Sequence, residues 1–501
     1  MRKVLIFFIS YLFTAQVLLS QVPDSLSFKP PIALTKKDHS LGIYDSIHNR
    51  YYLICQTREQ ITRICYDSNF QLLNFYSFSA DSLSIHWDKK KKAGLLGPLI
   101  LQSGYFEVYN DGKRLLLIKP DYGKKKDSLV NVFYLPDNVK SESVVSIIPN
   151  KDALQVLTWR VKERKFLLYQ IRPEQPVDIQ QWILPATNFD SEDMSAFRKD
   201  VVEEMKIAFD KFHFRYLLPV QTSQSYFTES KFSVPVFYNA TDLYIPCVMK
   251  AHSGYSLIRL NINNQKATIR NFYFNDLIAN TNAQIGYDFK GLWAVIFDST
   301  LLVKNQSTRY LAFHFFNAHS GQLIKEYQLH PKDGLSKLIH SDYNQFGTWL
   351  SPKQAREFSS PKNFLRKLTG SSIFVSGRSK DSITFTCMYY RYTMGIEGSL
   401  LALTTSMLTE AANIHIGRLQ IIPYLYTDRD KLVFAHSRFS MSNLEPSAGE
   451  KSITMLDLLL NHVSLQDISA NSSFIIKNKQ HYILGILNPE TKLFSVIKFH
   501  E

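Results

Sequence analysis

The sequence predicts an all-β protein assembled from repeated four-strand units. Three observations predict it. Short runs of Val, Ile, Leu, Tyr and Phe are broken roughly every 8–12 residues by turn chemistry, the rhythm of closely spaced strands. One strand–turn–strand pattern recurs along most of the chain. The composition, 45% hydrophobic, 13% aromatic and 20% charged, is that of a folded core and not of a disordered chain.

The first clear group runs over 41–79, with strands near 41–45, 50–57, 61–66 and 70–78, and Asp67-Ser68-Asn69 makes its last turn. In the next group Asn110-Asp111-Gly112 closes a hairpin, because Asn and Gly accept the positive φ that tight hairpin turns need. A recurring unit then follows. A strand ends on Tyr, Leu, Ile or Phe, four or five polar residues turn the chain, and the next strand opens on an apolar residue. The unit is visible at Tyr66-Asp67 to Leu72, Ile171-Arg172 to Val177, Leu260-Asn261 onward, Phe316-Asn317 to Leu323, and Leu487-Asn488-Pro489 to Leu493. Four-strand groups fall at 41–79, 100–135, 142–184, 233–274, 287–329, 371–421 and 420–466. Three strands remain at 472–499, and Leu26 to Phe28 is the candidate for the missing fourth.

A four-strand unit of about 40 residues, repeated several times, resembles the β-propeller repeat superfamily. The resemblance is architectural. The one Trp87-Asp88 runs into four lysines and carries no blade signature. The resemblance implies a propeller of about seven four-stranded blades, occupying residues 21–501 as one domain. In it the N-terminal strand completes the last blade and closes the ring, which removes exposed edges. Tandem β-sandwich domains are the alternative, but composition breaks between domains are not seen.

Two helical insertions are expected. From Asp190, apolar residues at Met194, Phe197, Val201, Met205, Ala208 and Phe212 follow helical spacing, which gives an amphipathic helix over 190–213. Over 351–369, Ser351-Pro352 and Ser360-Pro361 each read as an N-cap followed by proline at the first helical position, and Gly370 ends the segment. Blade faces vary through loops and insertions, so these segments are the candidate binding wall, with Phe197, Val201 and Met205 on its apolar stripe.

Residues 1–20 read as a signal peptide. Arg2 and Lys3 precede the nearly unbroken apolar run Val4 to Phe13, and Ser20 offers the small residue of a cleavage site. The run is shorter than the ~20 residues of a membrane span, and no transmembrane segment is expected after cleavage. The expected location is therefore exported: periplasmic, cell-surface or extracellular. The net charge of +14 suits anionic surfaces, but the clusters Lys36–Lys37, Lys89 to Lys92 and Lys124 to Lys126 sit in loops. No stripe of arginine and aromatic residues suggests nucleic acid. Four cysteines occur, and Cys55 and Cys65, on neighbouring strands, form the disulfide candidate.

Chemistry leaves little trace. Gly-x-Ser-x-Gly does not occur, and Ser359-x-x-Lys362 lacks the companion motifs of the Ser-x-x-Lys hydrolases. His314 and His319 are the nearest approach to a metal pair, and neither a metal nor a cofactor is expected. Asn239, Asn305 and Asn471 are glycosylation sequons. Two function classes remain. One is an exported binding or scaffolding protein, monomeric, recognising a protein or glycan partner. The other is a carbohydrate-active hydrolase using carboxylates in a central funnel. The missing motifs favour binding over catalysis.

Overall fold

The computed structural model describes residues 24–32, 39–45, 47–56, 60–79, 94–110, 113–135, 142–150, 152–185, 220–222, 236–249, 254–273, 293–306, 308–339, 344–347, 356–357, 360–368, 370–391, 431–447, 473–477, 481–487 and 491–500. The described strands form seven sheets. The first holds β2 (His39–Asp45), β3 (Arg50–Gln56), β4 (Gln60–Tyr66) and β5 (Leu72–Ser79). The second holds β6 (Gly94–Leu101), β7 (Gly104–Asn110), β8 (Arg114–Asp121) and β9 (Lys126–Tyr134). The third holds β10 (Glu142–Pro149), β11 (Leu154–Arg160), β12 (Lys165–Ile171) and β13 (Asp178–Ile183). The fourth holds β14 (Val220–Gln221), β15 (Phe237–Tyr238), β16 (Asp242–Met249), β17 (Gly254–Asn261) and β18 (Ala267–Tyr273). The fifth holds β19 (Trp293–Phe297), β20 (Thr300–Gln306), β21 (Leu311–Asn317) and β22 (Leu323–Leu329). The sixth holds β23 (Asn344–Gly347), β24 (Arg356–Glu357), β25 (Ser372–Arg378), β26 (Ser382–Arg391) and β27 (Lys431–Ser440). The seventh joins β28 (Ser473–Lys477), β29 (His481–Leu487) and β30 (Phe494–His500) to β1 (Asp24–Phe28).

Local chemistry explains the repeat. In six of the sheets the turn before the last strand in the chain carries one residue at positive φ, namely Phe70, Lys125, Glu174, Gln265, Gly321 or Lys492, and in the sixth sheet Leu444 takes that conformation in the turn after β27. That left-handed residue reverses the chain sharply enough for a hairpin. Short polar side chains fix the same turns. The Oδ1 of Asp67 accepts from the Asn69 and Gln71 amides, and that of Asn317 accepts from the His319 and Ser320 amides. These are the polar stretches that punctuate the sequence.

The chain divides into two compact units, residues 1–82 with 466–501, and residues 83–465. In the first, the two ends of the chain share one core. Tyr51, Leu53, Cys55, Ile64 and Tyr66 of the first sheet pack on Ile483, Leu487, Phe494 and Val496 of the seventh. Strand β1 completes the seventh sheet in the register Leu26↔Val496, Ser27↔Ser495, Phe28↔Phe494. In the second unit, successive sheets stack through apolar faces. The second sheet packs on the third through Phe106, Val108, Leu115 and Val156. The third packs on the fourth through Trp159, Phe166, Trp182 and Ile258. The fourth, fifth and sixth share one core around Phe297, Phe313, Phe315, Phe385 and Phe439. Within each unit, successive sheets, most of them four-stranded and antiparallel, cover one another's apolar faces, and this repeated sheet order is that of a β-propeller.

Two expectations need correction. The groups 371–421 and 420–466 are not two units. Strand β26 pairs directly with β27 from Ser382↔Ser440 to Arg391↔Lys431, so one sheet takes strands from both. Its next strand, β23, comes from upstream in the chain and pairs with β27 from Asn344↔Phe434 to Gly347↔Lys431. The second correction concerns Cys55 and Cys65. The β3–β4 register sets Cys65 opposite Tyr52 and Cys55 opposite Thr62. The two sulfurs are therefore not cross-strand partners, and no disulfide joins them. Both residues are buried, and burial pushes the Cys65 thiol up to about 11.

The helix α1 spans Pro361–Leu368. Its cap is the one expected: the Asn363 amide donates to Ser360 Oγ at 3.3 Å, and Pro361 takes the first helical position. Phe364, Leu365 and Leu368 turn into the core, and Gly370, at φ +78, leads the chain away. The Ser351-Pro352 cap lies outside the described residues, and Arg356–Glu357 is strand β24 rather than helix. The segment 190–213, with Phe197, Val201 and Met205, lies outside the described residues altogether. No described helix is long and apolar enough to cross a membrane.

Candidate functional site

The exposed apolar surface is concentrated on the sheets' outer strands. Ten large hydrophobic side chains are exposed among the described residues, and nine of them lie on β5, β9, β13 and β22: Leu72, Leu73, Phe75, Leu129, Tyr134, Ile179, Ile183, Leu323 and Ile324. Each of these strands stands last in its sheet, with one hydrogen-bonded strand neighbour among the described residues.

The clearest case is β13. Ile179, Gln181 and Ile183 alternate with Asp178, Gln180 and Trp182, so the two isoleucines share one face. Across the ladder they stand opposite Tyr169 and Lys165. They are 53% and 63% exposed, whereas Trp182, on the other face, is fully buried and donates from Nε1 to the Asn261 carbonyl at 2.8 Å. The seam beside this row is built. Asn131 of β9 donates from Nδ2 to the carbonyls of Arg172 (2.6 Å) and Gln175 (3.1 Å), and the Glu174 amide donates to the Val130 carbonyl. The Phe133 and Tyr169 rings pack against each other, tilted by 54°, with centroids 5.0 Å apart. A rigid seam therefore holds an exposed aliphatic row in place.

The buried polar groups are of another kind. On β7, Glu107 accepts from the Tyr105 and Tyr109 hydroxyls at 3.0 and 2.7 Å. At the start of β10, Glu142 accepts from Thr158, Tyr169 and Arg160 at 2.5, 2.9 and 2.7 Å. Hydrogen bonding to the Glu142 carboxylate adds to burial in pushing the Tyr169 hydroxyl up to about 12. Asp242 holds Arg259 through two hydrogen bonds and also accepts from Thr241 and Asn261. Burial raises the Asp242 carboxyl, but these donors outweigh it and keep the group below its ordinary value. All three carboxylates are buried and carry their own donors, which is the usual condition of a structural acid.

A fourth group brings an amine to a hydroxyl. Lys304 and Gln306 share one face of β20. The Lys304 Nζ donates to the Ser371 carbonyl, to Ser371 Oγ at 2.7 Å and to Gln306 Oε1 at 3.1 Å. Gln306 Nε2 donates to the Leu365 carbonyl in α1 at 3.3 Å. A serine beside a lysine is the raw material of a nucleophile and base. Here Lys304 and Ser371 are fully buried, and the ammonium's three donors are all engaged. The cluster ties the α1–β25 junction to the fifth sheet. Burial lowers the Lys304 amine to about 8, against a smaller opposing effect of Cys387. Ser359-x-x-Lys362 supplies none of this, and sequence reading missed Lys304 because a lone lysine in Leu-Leu-Val-Lys has no motif.

The histidine pair is not assembled into one site. His314 is buried on β21, near Glu326 at 3.9 Å, while His319 lies in the following turn beside Tyr244. No cluster with metal-ligand character occurs among the described residues.

No known family model matches the sequence, and no curated protein matches it. Solved structures with a comparable chain path include the WD40 domain of SCAP from fission yeast, at 8% identity and TM-score 0.33, over 95% of this chain and 98% of that one. The Dos1 propeller is 10% identical with a TM-score of 0.31, over 73% and 83% of the two chains. The Nup133 β-propeller domain of Vanderwaltozyma polyspora is 11% identical with a TM-score of 0.28, over 82% and 97%. The propeller assignment rests on this chain's own sheet order and shared cores.

Proposed function

We propose that the protein is an exported binding or scaffolding propeller that engages a protein partner through its outer strands. One observation carries the reading: nine of the ten exposed large hydrophobics described lie on β5, β9, β13 and β22. Where two such side chains share one face of an outer strand, as Ile179 and Ile183 do on β13, they make a local apolar patch of the kind that marks an interaction surface. A glycan partner is the second reading. It has less support, because sugar rings stack on aromatic faces, and only Phe75 and Tyr134 of the nine are aromatic. Export rests on the leader-like residues 1–20.

The test is a double variant, Ile179→Asp with Ile183→Asp, in the full chain. Both side chains are exposed, so the melting temperature is expected to stay within a few degrees of the parent. Cross-linking in the exporting cell followed by mass spectrometry, with a glycan array in parallel, identifies the ligand. Binding is expected to fall at least tenfold in the variant, the equivalent of about 1.4 kcal/mol. Undiminished binding would remove the outer strands from the site. A mature chain that starts at Met1 and stays with the membranes would remove export.

A further inference from the structure

We propose that this chain completes its fold only after its leader is released, because the strand that finishes the seventh sheet directly adjoins the leader. The inference rests on the export reading above. Strand β1 begins at Asp24, and the expected cut follows Ser20, so three residues separate them. Four peptide steps span at most about 14 Å even when fully extended. While the leader is held in a membrane or translocase, β1 must stay within that distance of it. Docked β1, however, is bonded into a sheet whose partners, Phe494 to Lys498, lie nearly 500 residues along the chain. Both conditions hold together only if the sheet edge sits against the headgroups.

The docked state has much to lose. Phe28 contacts three rings, with centroids 4.8 Å from Tyr66, 5.6 Å from Phe70 and 5.4 Å from Phe494. Tyr66 and Phe70 belong to the first sheet or its turn, and Phe494 to the seventh, so Phe28 joins both halves of that core. With β1 held away, β30 becomes an open edge beside that core. The last blade then waits on two events: synthesis of residues 473–500 and freedom of residues 24–28. A chain still attached to its leader is thereby kept partly open.

The experiment compares three full-length proteins in the exporting host. One is the parent. One carries Ser20→Phe, which puts a large side chain where the cut needs a small one. The third adds a ten-residue Gly/Ser spacer between Gln21 and Val22 to the Ser20→Phe chain. Limited proteolysis of residues 473–500 is read in intact membranes for the two uncut chains and in the released fraction for the parent. The uncut chain is expected to be cleaved about tenfold faster than the processed parent, as an opened edge population would be, and the spacer is expected to restore resistance. If the uncut chain resists protease as the parent does, or if the spacer restores nothing, the coupling is wrong while export stands. If the parent itself starts at Met1 and stays with the membranes, export and the coupling fail together.

Discussion

Phe28 and Phe494 face each other across the β1–β30 ladder, with rings 5.4 Å apart, although they come from opposite ends of the chain. Their contact holds the first and last described strands in one sheet. Phe28→Ala should therefore lower the unfolding free energy by about 2–3 kcal/mol, less than the full loss of a wholly buried phenylalanine. Ser27→Ala, on the exposed neighbour, should change it by under ~0.5 kcal/mol. Urea unfolding of both variants measures the difference, and equal effects would contradict the packing.

Lys304 should show in alkaline stability. Its amine is lowered to about 8 in the fold and returns to 10.5 when the chain unfolds. Between those values the unfolded chain binds more protons, so this residue makes stability rise with pH there. Cys387, raised by burial to about 11, acts in the opposite direction, so the comparison must be with a variant and not with the raw curve. Lys304→Met should lose the rising component and leave the Ser371 carbonyl without the Lys304 donor, while Gln306 Oε1 keeps the Ser371 hydroxyl, at a cost of about 2–4 kcal/mol at neutral pH. Unfolding curves at pH 7, 8, 9 and 10 for both proteins decide it.

His314 should show in acid. Burial lowers its imidazole to about 4. Between 6.5 and 4 the unfolded chain binds the proton and the folded one does not, so stability falls as pH falls through that window. The full effect is about 3 kcal/mol. In His314→Gln the component should vanish. A parallel acid dependence in the two proteins would show that His314 takes up its proton inside the fold, with Glu326 as its neighbour.

Reductant should have no effect on stability. Cys55 and Cys65 are offset in register, and no disulfide is formed by the four cysteines. The melting temperature with and without dithiothreitol should agree, and intact mass should show four unbridged thiols. A mass lower by two hydrogens would contradict the β3–β4 register.

Much of the architecture was legible before any coordinates, for local reasons. The closing turns betray themselves because Asp67, Asn261 and Asn317 bond amides only a few residues away, and their composition says so. Ser360-Pro361 starts a helix for the same kind of reason. Even the closure strand could be placed, since three C-terminal strands lack a fourth and Leu26 to Phe28 reads as one. What the sequence by itself determined is therefore set by neighbours in the chain: strand, turn and cap. Apart from that strand, contacts between distant residues were decided by the tertiary structure. The offset of Cys55 from Cys65 depends on where the β3–β4 hairpin turns, and a shift of a few residues leaves composition unchanged. The donation of β23 to the sixth sheet, the meeting of Lys304 with Ser371, and the exposure of Ile179 and Ile183 beside a buried Trp182 all depend on which sheet covers which face. Hydrophobic pattern sorts residues into inside and outside, but only packing decides which inside face is covered and which edge is left open.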